Sequence, residues 1–136
     1  MSTSRKLVPL WARGVTLALA LANLSYGIIG YLKPSSIFQA LDISNPAVLD
    51  AIFQFSARNT AIGIALIIVG IVGVPESIAI VTIIRFLIEA QDLVLGLFSA
   101  APPSKLAMAC GFMVVAAAII VTMFRIVSKR ESTGDV

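Results

Sequence analysis

The chain has 136 residues, of which 59% are hydrophobic and 12% are charged, and its mean hydropathy is +1.01. A soluble domain carries about a quarter charged residues, so this composition excludes an ordinary soluble domain and indicates membrane spans with short connections. The net charge of +3 does not indicate nucleic-acid binding, because the basic residues lie at the chain ends and beside apolar segments. The sequence has no histidine and one cysteine, Cys110, which excludes histidine metal sites and an internal disulfide.

Four apolar segments follow one another, each close to the roughly 20 residues that a membrane-spanning helix needs. They cover residues 8–32, 46–73, 76–99 and 104–127. Prolines stand beside or at the ends of these segments, where a helix tolerates them. We therefore predict an all-α integral membrane four-helix bundle with up-down topology, formed by the whole chain as one domain.

The connections between the segments differ in length and polarity. The one between the first two segments contains Phe38 and Leu41 and is too apolar for a solvated loop, so we predict a short interfacial helix over residues 35–44. The other two connections are only a few residues long and predict antiparallel hairpins. Residues 128–136 are polar and are predicted to form a disordered tail.

The distribution of lysine and arginine predicts the orientation in the membrane. Six basic residues flank the two chain ends: Arg5, Lys6, Arg13, Arg125, Lys129 and Arg130. The opposite side holds only Lys33 and Lys105. Basic residues concentrate on the cytoplasmic side, so we predict that both termini are cytoplasmic, in a plasma membrane or endoplasmic reticulum protein.

Charged groups within the apolar segments are the candidate functional residues, because each costs at least about 2.5–3.5 kcal/mol at the centre of a span. In the third segment Arg85, Glu89 and Asp92 follow an i, i+4, i+7 spacing and share one helix face. In the second segment Arg58 is the only charged residue beyond the first turns. Two arginines and two carboxylates balance in charge, as an enclosed group of ionised side chains should.

Uncharged polar residues accompany these four charges. Counted from the segment ends, Asn23, Arg58, Glu89 and Asp92 lie at a similar depth of roughly 10–15 Å, in the outer half of the bilayer. Together with their polar neighbours they form a predicted ligand site between the first three spans. Its eight residues are Asn23, Tyr26, Gln54, Arg58, Asn59, Arg85, Glu89 and Asp92. The fourth segment has no charge between Lys105 and Arg125 and is predicted to be an apolar scaffold.

Three functions remain open at this point. In the first, the polar cluster binds a small lipophilic or anionic ligand. In the second, it only stabilises helix packing in a non-catalytic accessory membrane subunit, whose partner is a second copy or another membrane protein. The third alternative is a small membrane enzyme, an isomerase or cyclase, that uses Glu89 or Asp92 as general acid or base. The sequence contains no nucleophile signature and indicates no cofactor and no metal site.

Several short motifs suggest a family. The first segment ends in Gly-Tyr-Leu-Lys-Pro at residues 30–34, and the second holds Phe-Ser-Ala-Arg-Asn-Thr-Ala-Ile-Gly at residues 55–63. The third holds Arg85 and Asp92, with Gly96 one turn beyond. This arrangement resembles the DoxX-like small four-helix membrane proteins, especially the uncharacterised groups DUF4267 and DUF4345. The resemblance implies a compact bundle whose arginine and aspartate face the interior. Some DoxX relatives are linked to quinone or thiol redox chemistry, for which this chain has no cysteine pair.

Overall fold

The computed structural model describes residues 8–39, 41–98 and 103–132, without the side chains of residues 130 and 131. Over these ranges the chain contains helices and irregular segments and no strand, which confirms the predicted all-α class. The helices are α1 (Leu10–Leu32), α2 (Pro34–Ile37), α3 (Pro46–Val72), α4 (Pro75–Phe98) and α5 (Pro103–Ser132). The four long helices coincide with the four predicted segments.

Three of the long helices are long and apolar enough to cross a membrane: α1, α3 and α5 as far as Lys129. The chain is therefore an integral membrane protein. The exception among the long helices is α4, which has 24 residues but carries four charges, on Glu76, Arg85, Glu89 and Asp92.

Local side-chain chemistry fixes the two ends of α3. Asn45 lies just before the helix, and its side chain accepts a hydrogen bond from the amide of Ala47 at 3.0 Å. At the other end Gly73 adopts the left-handed conformation that stops the helix, with φ +71°. There the Arg13 guanidinium donates to the carbonyls of Gly70 and Ile71, so a cation sits at the negative end of the helix dipole.

Two of the predicted connecting segments differ from the structure. Residues 128–132 continue α5 as helix instead of starting a disordered tail, because no proline or glycine interrupts the sequence between Gly111 and Gly134. Residues 133–136, Arg5 and Lys6 lie outside the described residues. In the predicted interfacial segment only α2 is helical, and its four residues start at Pro34, because proline is well placed at a first helical position.

Residues 42–45 of that connection form a turn, in which the Asn45 amide donates to the Asp42 carbonyl. The hydroxyl and the backbone N–H of Ser44 donate to Asp42 Oδ1 at 2.6 and 3.0 Å. These two bonds, the hydroxyl's first, hold the pKa of Asp42 below its ordinary value.

The long helices associate as two pairs, α1 with α3 and α4 with α5, while α3 touches α4 less and α1 touches α5 only slightly. At one end the pairs close around an apolar core, whose buried members include Ala12, Leu19, Leu66, Ile78, Ile119 and Met123. The short link between α3 and α4 connects one helix pair to the other.

Glycines set the close approach of α1 and α3. A Cβ added at Gly27 would lie 2.7 Å from the backbone nitrogen of Thr60, and one added at Gly63 would lie 2.9 Å from that of Leu24. Both distances are shorter than van der Waals contact, so the two backbones pack at a separation that only glycine permits.

Alanine at Gly27 is expected to destabilise the fold, whereas alanine at Gly14 is not. The Gly27→Ala methyl group meets α3 backbone, and such overpacking costs about 1–3 kcal/mol. Gly14 lies on the same helix with open space around it, so Gly14→Ala should stabilise α1 by about 0.5–1 kcal/mol. Thermal denaturation of both variants in one detergent measures the difference. Equal melting temperatures would contradict the close packing of α1 and α3.

Candidate functional site

A cavity of about 580 Å³ lies between the two helix pairs, at the end opposite the apolar core. Its walls come from the second half of α1, the first half of α3, the second half of α4, the first turns of α5 and the α2 segment. The walls are mostly apolar and include four aromatic side chains, Tyr26, Phe38, Phe55 and Phe112. A cavity of this size and composition fits a small organic molecule.

The deepest charged residues of the cavity form an ion pair on α4. Arg85 and Glu89 are one turn apart, and their side chains are only 9% and 10% exposed. The Arg85 guanidinium donates to Glu89 and stands over the Phe112 ring of α5, 5.8 Å from its centroid. Burial of both charges is tolerated because each one neutralises the other.

The second ion pair connects two helices. Arg58 Nη2 of α3 donates to Asp92 Oδ2 of α4 at 2.9 Å, and the guanidinium also lies 5.5 Å from the centre of the Phe55 ring. These side chains are 36% and 35% exposed, so this pair is far more open than the first. The expected four-residue cluster is thus two separate ion pairs at different degrees of burial.

Uncharged amides complete the polar wall. Asn23 is 2% exposed and donates from Nδ2 to the Leu19 carbonyl of its own helix at 2.7 Å. Its Oδ1 is buried without a hydrogen-bond partner, as are the Nε atoms of Arg58 and Arg85. Asn59 donates in the same local way to the Phe55 carbonyl. The wall therefore contains one acceptor and two donors that the described part of the protein leaves unsatisfied.

Seven of the eight predicted site residues line the cavity, and one does not. The seven are Asn23, Tyr26, Arg58, Asn59, Arg85, Glu89 and Asp92. Gln54 is exposed, and its amide donates to Asp50 Oδ2 at 2.8 Å. Being one turn from Arg58 was an insufficient criterion, because the Gln54 side chain bonds to Asp50, one turn nearer the exposed start of α3.

The fourth apolar segment contributes more than scaffold. Lys105, Met108 and Phe112 of α5 all line the cavity, so the prediction of three participating spans was wrong. Tyr26 and Met108 bridge the narrow contact between α1 and α5, with 3.8 Å between the hydroxyl and Sδ. The i, i+3, i+7 spacing of these three α5 residues places them on one face and was the available sequence signal.

Metal binding and cysteine chemistry are the other kinds of site considered within the described ranges. No group of three histidine, cysteine, aspartate or glutamate side chains there is arranged to hold a metal ion. Cys110 is an exposed free thiol. Comparison of the chain with protein-family models, curated proteins and solved structures found no match. The site must therefore be interpreted from its own geometry.

The two carboxylates of α4 are expected to respond differently to neutralisation. Glu89→Gln leaves the buried Arg85 cation unpaired, which costs about 3–5 kcal/mol. Asp92→Asn removes a half-exposed partner of Arg58, which costs at most about 1 kcal/mol. Both changes exchange a carboxylate for its isosteric amide on one helix, and urea or thermal unfolding in detergent compares them. Similar losses for both variants would show that burial does not govern these pairs.

Proposed function

We propose that the protein spans the membrane four times and binds a small lipophilic molecule with an anionic group in the cavity between its helix pairs. The observation that carries this proposal is the charge of the cavity wall. Arg58, Arg85 and Lys105 supply three positive charges, and Glu89 and Asp92 supply two negative charges. The surplus of one positive charge favours a ligand with one negative charge. The aromatic and aliphatic remainder of the wall favours an apolar ligand body.

The four-span topology is supported by the placement of α4. It lines the cavity with its second half and contributes Ile78 to the core with its first, so it runs the full height of the bundle beside three apolar helices. Three of its four charges, on Arg85, Glu89 and Asp92, are in ion pairs, which lowers the free-energy cost of placing α4 in a bilayer. Four crossings put both termini on one side, and the basic flanks make that side cytoplasmic.

Cysteine labelling tests this topology. In a Cys110→Ala background, a membrane-impermeant maleimide added to intact cells should label Ser44→Cys and not Ser128→Cys. Ser44 is in the exposed connection before α3, and Ser128 is exposed near the end of α5. After permeabilisation both variants should react, which controls for access to the thiol. Labelling of Ser128→Cys in intact cells would contradict cytoplasmic termini.

One observation favours the second candidate, a structural role for the polar cluster. The Arg58–Asp92 bond joins α3 to α4, the two helices that connect the pairs. A bond there fixes how the pairs meet, as interhelical polar contacts do in membranes. This structural role does not exclude ligand binding to the same cavity wall. Association with a second copy or with a partner membrane protein, and membership of the DoxX-like group, stay proposals.

Ligand binding is tested with simple charged amphiphiles in phosphatidylcholine nanodiscs. Dodecanoate should raise the melting temperature, and dodecylammonium of the same chain length should not, because the wall carries the surplus positive charge. At about 100 times its dissociation constant, a ligand adds about 2.7 kcal/mol to the free energy of unfolding. Equal shifts by both amphiphiles would indicate unspecific partitioning into the lipid.

A cavity-filling variant locates the binding. Ala109 is a buried wall residue of α5, and Ala109→Phe should abolish the dodecanoate shift by occupying the space. Ala118→Phe adds the same ring on an exposed position of α5 outside the wall and should leave the shift intact. If Ala109→Phe retains the full shift, dodecanoate binds elsewhere and the proposal fails.

A further inference from the structure

The polar groups of the cavity wall lie at two levels with different chemistry. Lys105 is in the first turn of α5, near the open end, and is exposed. In the described part of the chain it has no ion-pair partner. The deeper level contains two ion pairs, the partly exposed Arg58–Asp92 and below it the buried Arg85–Glu89, and the charges cancel within each pair. The surplus positive charge of the wall therefore resides at the open end.

An anionic group is accordingly favoured beside Lys105 and disfavoured at the deeper level. A second anion next to Glu89 or Asp92 would compete with those carboxylates for the same arginines and would repel both. An unpaired lysine at the mouth offers a charge-assisted hydrogen bond without that competition.

The deeper level favours a neutral hydrogen-bonding group instead. Asn23 Oδ1 is a buried acceptor without a partner, in a side chain that is 2% exposed and lines the cavity. The Nε atoms of Arg58 and Arg85 are buried donors without partners. A hydroxyl group can donate a hydrogen bond to the orphaned Asn23 acceptor and can also accept from a donor of the wall. Each such group left unsatisfied costs about 1–3 kcal/mol, which a fitting ligand group recovers.

The separation of the two levels follows from a side-chain contact between α1 and α5. The Tyr26 hydroxyl meets Met108 Sδ at 3.8 Å, which places these two residues at neighbouring heights. Asn23 is three residues deeper than Tyr26 on α1, and Lys105 is three residues nearer the mouth than Met108 on α5. At a rise of 1.5 Å per residue Asn23 and Lys105 are about 9 Å apart along the helices, and Tyr26 and Met108 lie between them.

We propose that the cavity selects amphiphiles with polar groups at both ends: a carboxylate held at the mouth by Lys105 and a hydroxyl held at the floor by Asn23. An ω-hydroxy fatty acid is the simplest member of this class. This inference rests on the proposed ligand-binding function and assigns the substrate class of the same cavity.

The test measures dissociation constants by isothermal titration for ω-hydroxydodecanoate and dodecanoate, with the full chain in phosphatidylcholine nanodiscs and empty nanodiscs as blank. The hydroxy acid should bind about tenfold more tightly, the effect of roughly one hydrogen bond. A terminal hydroxyl weakens partitioning into lipid, so unspecific uptake would give the opposite order.

Two variants assign the ends of the ligand. Asn23→Leu should remove the tenfold preference, so that the two acids bind with equal affinity. Lys105→Gln should weaken the binding of both acids and leave their ratio unchanged. The matched controls are Thr16→Val, another buried α1 residue bonded to its own helix, and Lys33→Gln, another exposed lysine; neither residue lines the cavity. Both controls should behave as the wild type.

The outcomes separate the two proposals. Binding of dodecanoate with no gain from the hydroxyl overturns the two-ended class and leaves the proposed function standing. Absence of binding by both acids overturns both. A preference that survives in Asn23→Leu overturns the assignment of the floor. The ratio in the wild-type protein decides the substrate class even where a variant does not fold.

Discussion

Arg85 and Glu89 lie one helical turn apart on α4, with about nine-tenths of each side chain buried among apolar helices. A single charge in that environment would cost several kcal/mol, so each residue is tolerated only because the other is beside it. The pair also determines how α4 is turned. Its charged face must point to the interior, where Phe112 of α5 covers the guanidinium, and not to lipid. With that face inward, Asp92 comes within reach of Arg58 on α3, and the two helix pairs are joined.

The cavity follows from this orientation and from the uneven distribution of small and polar side chains. At one end Ala12, Leu66, Ile78 and Ile119 fill the space between the pairs completely. At the other end the pairs are joined by few side-chain contacts, chiefly Arg58–Asp92 and Tyr26–Met108, and α1 and α5 hardly meet. Glycine contacts keep α1 tightly on α3, so that pair does not collapse into the gap. Open space therefore persists where the charges are.

The lengths of the hydrophobic segments and the spacing of the polar residues were sufficient to predict the helices and most polar residues of the cavity wall. Hydrophobic length and proline positions predicted the four long helices, and the spacing of Arg85, Glu89 and Asp92 predicted a shared face. They were insufficient for Gln54, whose amide prefers its neighbour Asp50 at the solvated start of α3. The same patterns could not predict that α5 lines the cavity, because its contribution depends on the relative orientation of the two helix pairs. A sequence specifies which residues share a helix face but not which other helix that face meets.

Lys105 shows why this distinction matters for function. As a basic residue at the end of an apolar segment it serves as an interfacial anchor, a role that any bilayer protein assigns to lysine. Only the angle between the pairs brings it over the mouth of a cavity whose other charges are already balanced. The wall then changes from neutral to positive, which favours an anionic ligand. Because both arginines are already paired with carboxylates, Lys105 is the cation through which an anion can bind without displacing Glu89 or Asp92.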